Sequence, residues 1–293
     1  MSSRTLRLGT RGSQLAVTQS GIVARDLTKA TGVPVTLVKI KTTGDRVTDR
    51  PLQAVGGKGL FTKEIEDALL AGDVDFAVHS MKDMPTEDPD GLVIHSTPAR
   101  VDPRDCLVGS PLDALAAGAV IGTGSVRRAL QLRALRPDLE IRGIRGNVDT
   151  RIAKQRAGDY DAIVLALAGL TRLGRAEEAA EALSVERMIP AVGQGALALQ
   201  CRADNAEVMR LLEALHDEPT AQTVAVERAF LARVSGGCSA PAACHAVLQD
   251  GMVVATGVWA QDENGTPRTL VLRADPLHGR ALGTELASRL IAG

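Results

Sequence analysis

The sequence predicts an α/β protein with two similar α/β lobes and a small C-terminal α+β domain. Three observations predict this architecture. Short apolar runs alternate with helix-like stretches over most of the 293 residues, one strand-turn-helix motif occurs twice, and the pattern changes after about residue 217. Such alternation is typical of α/β folds with largely parallel sheets.

The predicted strands are short apolar runs, namely residues 5–9, 35–40, 74–80, 119–122, 139–144 and 161–167. The longest apolar run, residues 162–170, is far shorter than the roughly 20 residues that a membrane-spanning helix needs. The N-terminus also lacks the apolar core of a signal peptide. We therefore expect a cytoplasmic protein that does not bind membranes.

The repeated motif is LGTRGSQLAV at residues 8–17 and IGTGSVRRAL at residues 121–130. In each copy a serine, Ser13 or Ser125, stands where a helix N-cap is expected. The free N–H groups and positive dipole end of a helix start bind anions. Two lobes that each offer such a helix start resemble a periplasmic-type binding protein. Coincidence is the alternative, since strand-turn-helix units with glycine and serine are common.

The C-terminal pattern consists of a helical segment at 220–234, a cysteine-containing loop, strand-like stretches and a final helix. The loop SGGCSAP, residues 235–241, carries Cys238. The chain has four cysteines and no CxxC pair, which argues against a disulfide framework and against a metal site. The residues alone leave open whether Cys238 is a nucleophile or the point of attachment of a covalent group.

Positive charge is concentrated between residues 120 and 156, although the formal net charge of the chain is −1. Guanidinium groups suit bidentate recognition of carboxylate or phosphate. Four arginines lie at a predicted helix start or strand end, where α/β proteins bind ligands, namely Arg127, Arg128, Arg145 and Arg151. Aromatic residues make up only 2% of the chain, so platforms for base stacking are scarce. We expect a small multiply charged anion as ligand, and no nucleic acid.

Two further stretches are candidates for chemistry. In VDFAVHSMKDMP, residues 74–85, Asp83 follows a predicted strand. It is either a helix cap, the commoner role, or a catalytic acid/base beside Lys82. GGKGLFTKE, residues 56–64, lacks the spacing of a phosphate-binding P-loop. Residues 42–59 are either a mobile lid carrying Lys58 or a plain surface loop.

Together these stretches resemble the porphobilinogen deaminase family. The matching segments, in family order, are TRGSQLA, GGKGLFTKEIE, AVHSMKDMP, DPRD, GTGSVRR, RGNVDTR, YDAIVLALAGLTRLG, PAVGQGA and GGCSAP. The resemblance implies two periplasmic-binding-protein-like α/β lobes, residues 1–98 with 196–216 and residues 99–195. It also implies a third, α+β domain at residues 217–293 that carries the cofactor cysteine.

The resemblance also implies a reaction. Four porphobilinogen molecules are condensed head to tail with loss of ammonia, on a covalent dipyrromethane cofactor, and hydroxymethylbilane is released. The cofactor would be attached by a thioether to Cys238, and Asp83 matches the catalytic carboxylate. The residues implied to hold the cofactor and substrate are Arg11, Ser13, Lys58, Phe61, Ser80, Lys82, Thr123, Ser125, Arg127, Arg128, Arg145, Arg151, Arg172 and Gln194. We expect a monomer.

The chain departs from the family pattern at Ala54, where lysine is frequent, at Gly124, where serine is frequent, and at Asp149, where a neutral residue is usual. Asp149 would place a negative charge beside the arginine turn. Two rival interpretations remain. One is a two-lobed anion-binding or sensory protein without catalysis. The other is a cysteine hydrolase with His245 as base, for which the sequence shows no orienting acid.

Overall fold

The computed structural model describes residues 5–43, 62–234 and 241–293. The strands there are β1 (Leu6–Arg11), β2 (Val35–Ile40), β3 (Phe76–Ser80), β4 (Leu92–Ser96), β5 (Asp105–Val108), β6 (Val120–Gly122), β7 (Glu140–Arg142), β8 (Ala162–Ala166), β9 (Glu181–Ala182), β10 (Leu197–Arg202), β11 (Ala242–Gln249), β12 (Met252–Trp259) and β13 (Arg268–Ala274). The helices are α1 (Gln14–Thr31), α2 (Lys63–Leu70), α3 (Val126–Leu135), α4 (Val148–Arg156), α5 (Leu167–Arg172), α6 (Ala206–Leu212), α7 (Glu218–Val234) and α8 (Gly279–Ala292).

The chain forms two compact units. Unit 1 consists of Met1–Arg100 and Ala196–Ala221, and unit 2 of Val101–Gly195 and Gln222–Gly293. The division of unit 2 into a lobe and a separate C-terminal domain stays a prediction. Among the helices of the described ranges, none is long and apolar enough to cross a membrane.

Each unit contains a five-stranded sheet, and the two sheets have the same topology. The strand order is β2-β1-β3-β10-β4 in unit 1 and β7-β6-β8-β5-β9 in unit 2. In both, the first three strands are parallel and the fourth is antiparallel to both of its neighbours. Four of the five strands therefore run in one direction. The sheets are largely parallel, as predicted, with one reversed strand in each.

The repeated sequence motif occupies equivalent places in these two sheets. It links β1 to α1 in unit 1 and β6 to α3 in unit 2. Ser13 Oγ accepts a hydrogen bond from the N–H of Ala16 at 3.4 Å, and Ser125 Oγ accepts one from the N–H of Arg128 at 3.5 Å. Both predicted N-caps are confirmed. Neither helix has an acidic residue in its first turn, so its own sequence leaves the positive helix end uncompensated.

The sheet of unit 1 is covered on both faces, which explains the almost continuous apolar run of β3. Successive side chains of a strand point to opposite faces. Phe76 and Val78 of β3 therefore join one apolar cluster with Leu27 of α1, while Ala77 joins another with Leu69 of α2. The burial of both faces fixes the register of β3, and with it the point at which its polar C-terminal end leaves the sheet.

The C-terminal part of unit 2 is an antiparallel sheet of order β11-β12-β13. Its first hairpin turns through Asp250 and Gly251, whose φ angles of 52° and 75° suit a two-residue turn. Phe230 of α7 and Leu286 of α8 are fully buried in the apolar cluster that covers this sheet. The predicted helix, strand and final helix of this region are thus all present.

Candidate functional site

Polar side chains of unit 1 collect at the carboxyl ends of β1 and β3. These strands are parallel neighbours, so their carboxyl ends meet at one edge of the sheet. Arg11 ends β1 and Ser13 caps the following helix. Ser80 ends β3, and Lys82 and Asp83 follow in the next turn. The structure therefore brings these five predicted residues to the same sheet edge.

Asp83 lies in a short 3₁₀ turn, Met81–Asp83, directly after β3. Met81 and Met84, which flank Lys82 and Asp83, are only 3% and 2% exposed, and the N–H of Met81 donates to the carbonyl of Ala196 at 3.0 Å. This anchorage leaves Asp83 at the surface. Within the described ranges its carboxylate caps no helix and forms no hydrogen bond or ion pair. The carboxylate is therefore available to a ligand.

Two buried residues close to Asp83 in the chain or in the fold have structural roles, as the sequence of β3 suggests for His79 but not for Gln19. Gln19, buried on α1, lies within hydrogen-bonding distance of Ser80, with 3.2 Å between Gln19 Nε2 and Ser80 Oγ. It holds the hydroxyl of Ser80 at the sheet edge. His79 is buried, and burial lowers its pKa to about 4, so its imidazole is neutral at physiological pH. His79 is a structural residue of β3 rather than a proton carrier.

Asp105 is the centre of a buried charged cluster in unit 2. Its carboxylate is 0% exposed at the start of β5. Asp105 Oδ1 accepts from Arg128 Nε at 3.0 Å and Nη2 at 2.7 Å, and Oδ2 lies 2.7 Å from Arg127 Nη1. Gln194 Nε2 donates to the same carboxylate at 2.9 Å. Three predicted site residues, Arg127, Arg128 and Gln194, therefore meet around one acid that sequence reasoning missed.

This pairing keeps Asp105 ionised. Burial by itself would raise its pKa, but the charges and hydrogen bonds of Arg127 and Arg128 outweigh burial and hold the pKa of the Asp105 carboxyl far below its usual range. The pKa of Arg127 is lowered by burial. Two guanidinium charges and one carboxylate leave the cluster with one net positive charge.

We predict that Asp105→Asn destabilises the protein by about 3–5 kcal/mol, because it leaves two buried guanidinium groups without their counter-ion. The measurement is the free energy of unfolding in urea. Asp138→Asn is the matched control, since it removes an exposed carboxylate that pairs with Arg136 at 2.7 Å and has a much smaller effect. Equal losses of stability in the two variants would contradict this account of the cluster.

A second set of arginines, Arg145, Arg151 and Arg172, shares the lack of an acidic partner among the described residues. All three are partly buried, and in the part of unit 2 that the structure describes no carboxylate lies within ion-pair distance of them. Burial, reinforced by the charges of Arg128 and Arg145, lowers the pKa of Arg151 to about 10. Burial alone lowers the pKa of Arg172 to about 10. The guanidinium groups remain charged at neutral pH and favour an external anion.

One donor of this group is also without a partner. Arg145 Nη1 is buried and meets no hydrogen-bond acceptor among the described residues. A buried polar group without a partner is costly, and a ligand carboxylate would satisfy it. The side chains of unit 2 thus fit a ligand with several carboxylates.

The helix start of α3 completes this part of unit 2. Thr123 Oγ1 accepts from the N–H of Ser125 at 3.2 Å, which fixes the turn that precedes the helix. A Cβ at Gly124 would lie 3.0 Å from the carbonyl oxygen of Ile144, so a larger residue is tightly confined here. Glycine at position 124, where the family pattern often has serine, therefore avoids a close contact with the carbonyl oxygen of Ile144.

The charge of Asp149 does not act on the arginine turn as the sequence suggested. Asp149 is exposed and forms an ion pair with Arg175, which also binds Glu178. The turn itself is held by Asn147, whose Oδ1 accepts from the N–H of Thr150 at 2.9 Å, and by Arg151 Nε, which donates to the carbonyl of Gly146 at 2.8 Å. The negative charge that Asp149 introduces is therefore neutralised by Arg175.

Three predicted site residues, Lys58, Phe61 and Cys238, lie outside the described residues, as do residues 44–59 of the proposed lid, which include Ala54. The other three cysteines, Cys106, Cys201 and Cys244, are buried. Burial raises the pKa of Cys106 to about 12 and that of Cys201 to about 11, so these two thiols are unreactive at neutral pH. No cluster of side chains suited to a metal ion occurs within residues 5–43, 62–234 and 241–293.

The hydrolase interpretation needs one correction. An acid does lie beside His245, since Glu227 Oε1 is 3.2 Å from its Nδ1. The sequence concealed this pair because the two residues stand on different elements, α7 and β11. Glu227 is fully buried and also accepts two backbone N–H groups, from Gly193 at 2.7 Å and Ala246 at 2.9 Å. These bonds make Glu227 an anchor of the local backbone.

Comparison with known families matches nearly the whole chain. The sequence model described as "Porphobilinogen deaminase, dipyromethane cofactor binding domain" matches residues 6–210. The model described as "Porphobilinogen deaminase, C-terminal domain" matches residues 221–292.

Two curated relatives match this chain over nearly their full length. A porphobilinogen deaminase of Syntrophotalea carbinolica is 48% identical over 296 aligned residues, covering 100% of this chain and 94% of the relative. One of Geotalea uraniireducens is 46% identical, covering 99% of this chain and 92% of the relative. Among solved structures, the methionine-binding protein MetQ aligns with 75% of this chain and 94% of its own, with a TM-score of 0.46 and 13% identity.

Proposed function

Because the chain belongs to the porphobilinogen deaminase family, we propose that Asp83 performs its proton chemistry and that the arginines of unit 2 bind the carboxylates of its ligands. The chain is a transferase that condenses four porphobilinogen molecules head to tail with loss of ammonia and yields hydroxymethylbilane. It uses a dipyrromethane cofactor.

The observation that carries the binding proposal is the group of partly buried arginines without acidic partners. Every pyrrole unit of the substrate bears an acetate and a propionate. Arg145, Arg151 and Arg172 offer guanidinium groups that no carboxylate of the described residues pairs with, and Arg145 Nη1 has no acceptor among those residues. Arg127 and Arg128 are held by Asp105, and they add one net positive charge. Thr123, Ser125 and Gln194 complete this set.

Asp83 is proposed as the catalytic carboxylate. Loss of ammonia from porphobilinogen leaves a cationic methylene-pyrrolenine, and a nearby carboxylate stabilises that charge and exchanges a proton with the pyrrole N–H. The free carboxylate of Asp83, on a turn anchored by buried methionines, suits this task. Arg11, Ser13, Ser80 and Lys82 at the same sheet edge are proposed to hold substrate carboxylates, with Lys58 and Phe61.

Cys238 is proposed as the residue that carries the cofactor through a thioether. When bound, the dipyrromethane supplies the free pyrrole position to which each new substrate unit is added. Support comes from the other three cysteines, which are all buried in strands of the described structure. The described thiols are therefore poor candidates for attachment, and Cys238, within the small-residue sequence SGGCSAP, is the cysteine that remains.

The remaining expectations are proposals of the same kind. We infer three domains, residues 1–98 with 196–216, residues 99–195 and residues 217–293. The shared topology of the two five-stranded sheets supports the first two, and the separate antiparallel sheet supports the third. A cytoplasmic monomer that binds neither nucleic acid nor membranes remains a prediction from the sequence.

We predict that Arg151→Met lowers kcat/KM for porphobilinogen by at least about tenfold with little net change in stability, because the lost hydrogen bond from Arg151 Nε to the Gly146 carbonyl is offset by removal of a desolvated charge. The substitution removes a carboxylate-binding group, and it also relieves a desolvated positive charge beside Arg128 and Arg145. The measurements are steady-state kinetics and the thermal midpoint. Arg142→Ala, which removes an exposed arginine paired with Glu140, is the control and should behave like the wild type.

Unchanged kinetics in Arg151→Met would contradict the binding proposal. A wild-type protein that binds tetrapyrrole carboxylates but never consumes porphobilinogen would instead favour the two-lobed binding protein over the enzyme.

A further inference from the structure

Residues 189–195, here called the connecting segment, contact the C-terminal sheet and its helices through apolar side chains. The side chain of Ile189 packs in one buried cluster with Ala243 of β11 and Val258 of β12. That of Val192 belongs to the larger cluster around Phe230 of α7. The connecting segment is thus anchored in the core of the C-terminal part of unit 2.

The backbone and polar groups of the same segment hold the arginines of the proposed site. The carbonyl of Ile189 accepts from Arg127 Nη1 at 2.7 Å. Gln194 Nε2 donates to Asp105 Oδ1 at 2.9 Å. The carbonyl of Gly195 accepts from Arg172 Nη2 at 2.7 Å. One short stretch of chain therefore contacts three members of the site.

Glu227 fixes the backbone between these contacts. Its buried carboxylate accepts the N–H of Gly193 through Oε2 and the N–H of Ala246 through Oε1, so one side chain bonds the connecting segment to β11. Gly193 and Gly195 have φ angles of 69° and 88°, which glycine adopts without strain. The turn is consequently tight, and a shift at Gly193 is passed directly to Gln194.

We infer that the connecting segment sets the position of the arginine site from the C-terminal core, with Glu227 and Val192 as positioning residues that touch no substrate. This inference rests on the proposed carboxylate-binding role of the arginines. Site groups must be held within a fraction of an ångström to bind well, so loosening the segment weakens binding at a distance.

The test compares Glu227→Gln and Val192→Ala with Leu290→Ala. Both test variants weaken the contacts between the connecting segment and the C-terminal part of unit 2. They leave every arginine of the site in place. Leu290 is buried in the same apolar cluster as Val192, but it lies on α8, outside the connecting segment, and it has no polar side-chain group that could bond to the segment as Glu227 does. Leu290→Ala therefore measures how a general loss of stability affects KM and hydrogen exchange. Each variant is purified as the holoenzyme, and its cofactor content is checked by intact mass.

We expect KM for porphobilinogen to rise by about tenfold in both test variants with kcat changed by less than about twofold, since uniform binding is lost. Hydrogen exchange should become faster in peptides covering residues 126–135 and 167–172, which contain Arg127, Arg128 and Arg172. Leu290→Ala should alter neither KM nor exchange in these peptides.

Two results would overturn the inference. One is a wild-type KM and wild-type exchange in Glu227→Gln and Val192→Ala. The other is the same change in all three variants, which would reduce the effect to general destabilisation. Failure of the wild type to consume porphobilinogen would refute the proposed function instead, and the exchange data would still decide whether the segment is coupled to the arginine helices.

Discussion

Asp83→Asn lowers turnover by about a thousandfold while the protein keeps its fold and its bound cofactor. The amide has the shape of the carboxylate but lacks the negative charge that meets the cationic intermediate, and it cannot exchange the pyrrole proton. Because Asp83 is exposed and forms no internal bond among the described residues, its replacement removes no stabilising contact. The loss should therefore fall on kcat.

The measurement is single-turnover and steady-state kinetics, together with intact mass and the thermal midpoint. Asp90→Asn is the control, because Asp90 is an exposed acid of the same unit that precedes β4, whose amino end lies at the opposite edge of the sheet from Asp83. It should keep wild-type turnover. Near-normal turnover in Asp83→Asn would remove this residue from its catalytic role.

Cys238→Ser should abolish turnover, because a serine hydroxyl is a much weaker nucleophile than a thiolate and does not form the thioether that holds the cofactor. Its intact mass should equal that of the unmodified chain. Cys201→Ala is the matched control. It removes a buried thiol of β10 whose pKa is raised by burial, and it should retain the cofactor and the activity.

Full activity in Cys238→Ser would exclude a covalent tether at this position, and it would exclude the cysteine hydrolase as well. Loss of the cofactor from Cys201→Ala would show that the attachment site had been assigned to the wrong cysteine.

Local patterns predicted much of the fold. The predicted strand at residues 35–40 coincides with β2, because a run rich in β-branched residues follows a proline and is fully paired with β1. The N-caps Ser13 and Ser125 were also correct, since capping depends on the few residues next to the helix start.

The reversed strand of each sheet and the shortest strand were not predicted. β5 and β10 are the reversed strands of the two sheets, and each is completed by neighbours far away in the sequence. β9 has only two residues and exists because it pairs with β5. The local sequence of such strands has no clear alternation of apolar and polar residues that would predict them. They are defined by the strands beside them in the sheet.

The same distinction between local patterns and distant contacts applies to the residues of the site. The arginines could be found from their position beside turns and caps. Asp105 could not, because its role comes from the packing of β5 against α3, which lies over 20 residues later. The role of Glu227 was not predicted for the same reason, since its partner Gly193 is 34 residues away. The segment DPRD, which matches the family and ends at Asp105, was the one sequence signal that could have drawn attention to this acid, although not to its partners.

The intact mass of the purified chain, before and after incubation with porphobilinogen, tests the central claim most directly. We predict an excess mass equal to two condensed pyrrole units, located by peptide mapping on Cys238, and further additions in whole pyrrole units once substrate is supplied. A chain that keeps its unmodified mass after reconstitution with porphobilinogen, and that consumes none of it, would contradict the account.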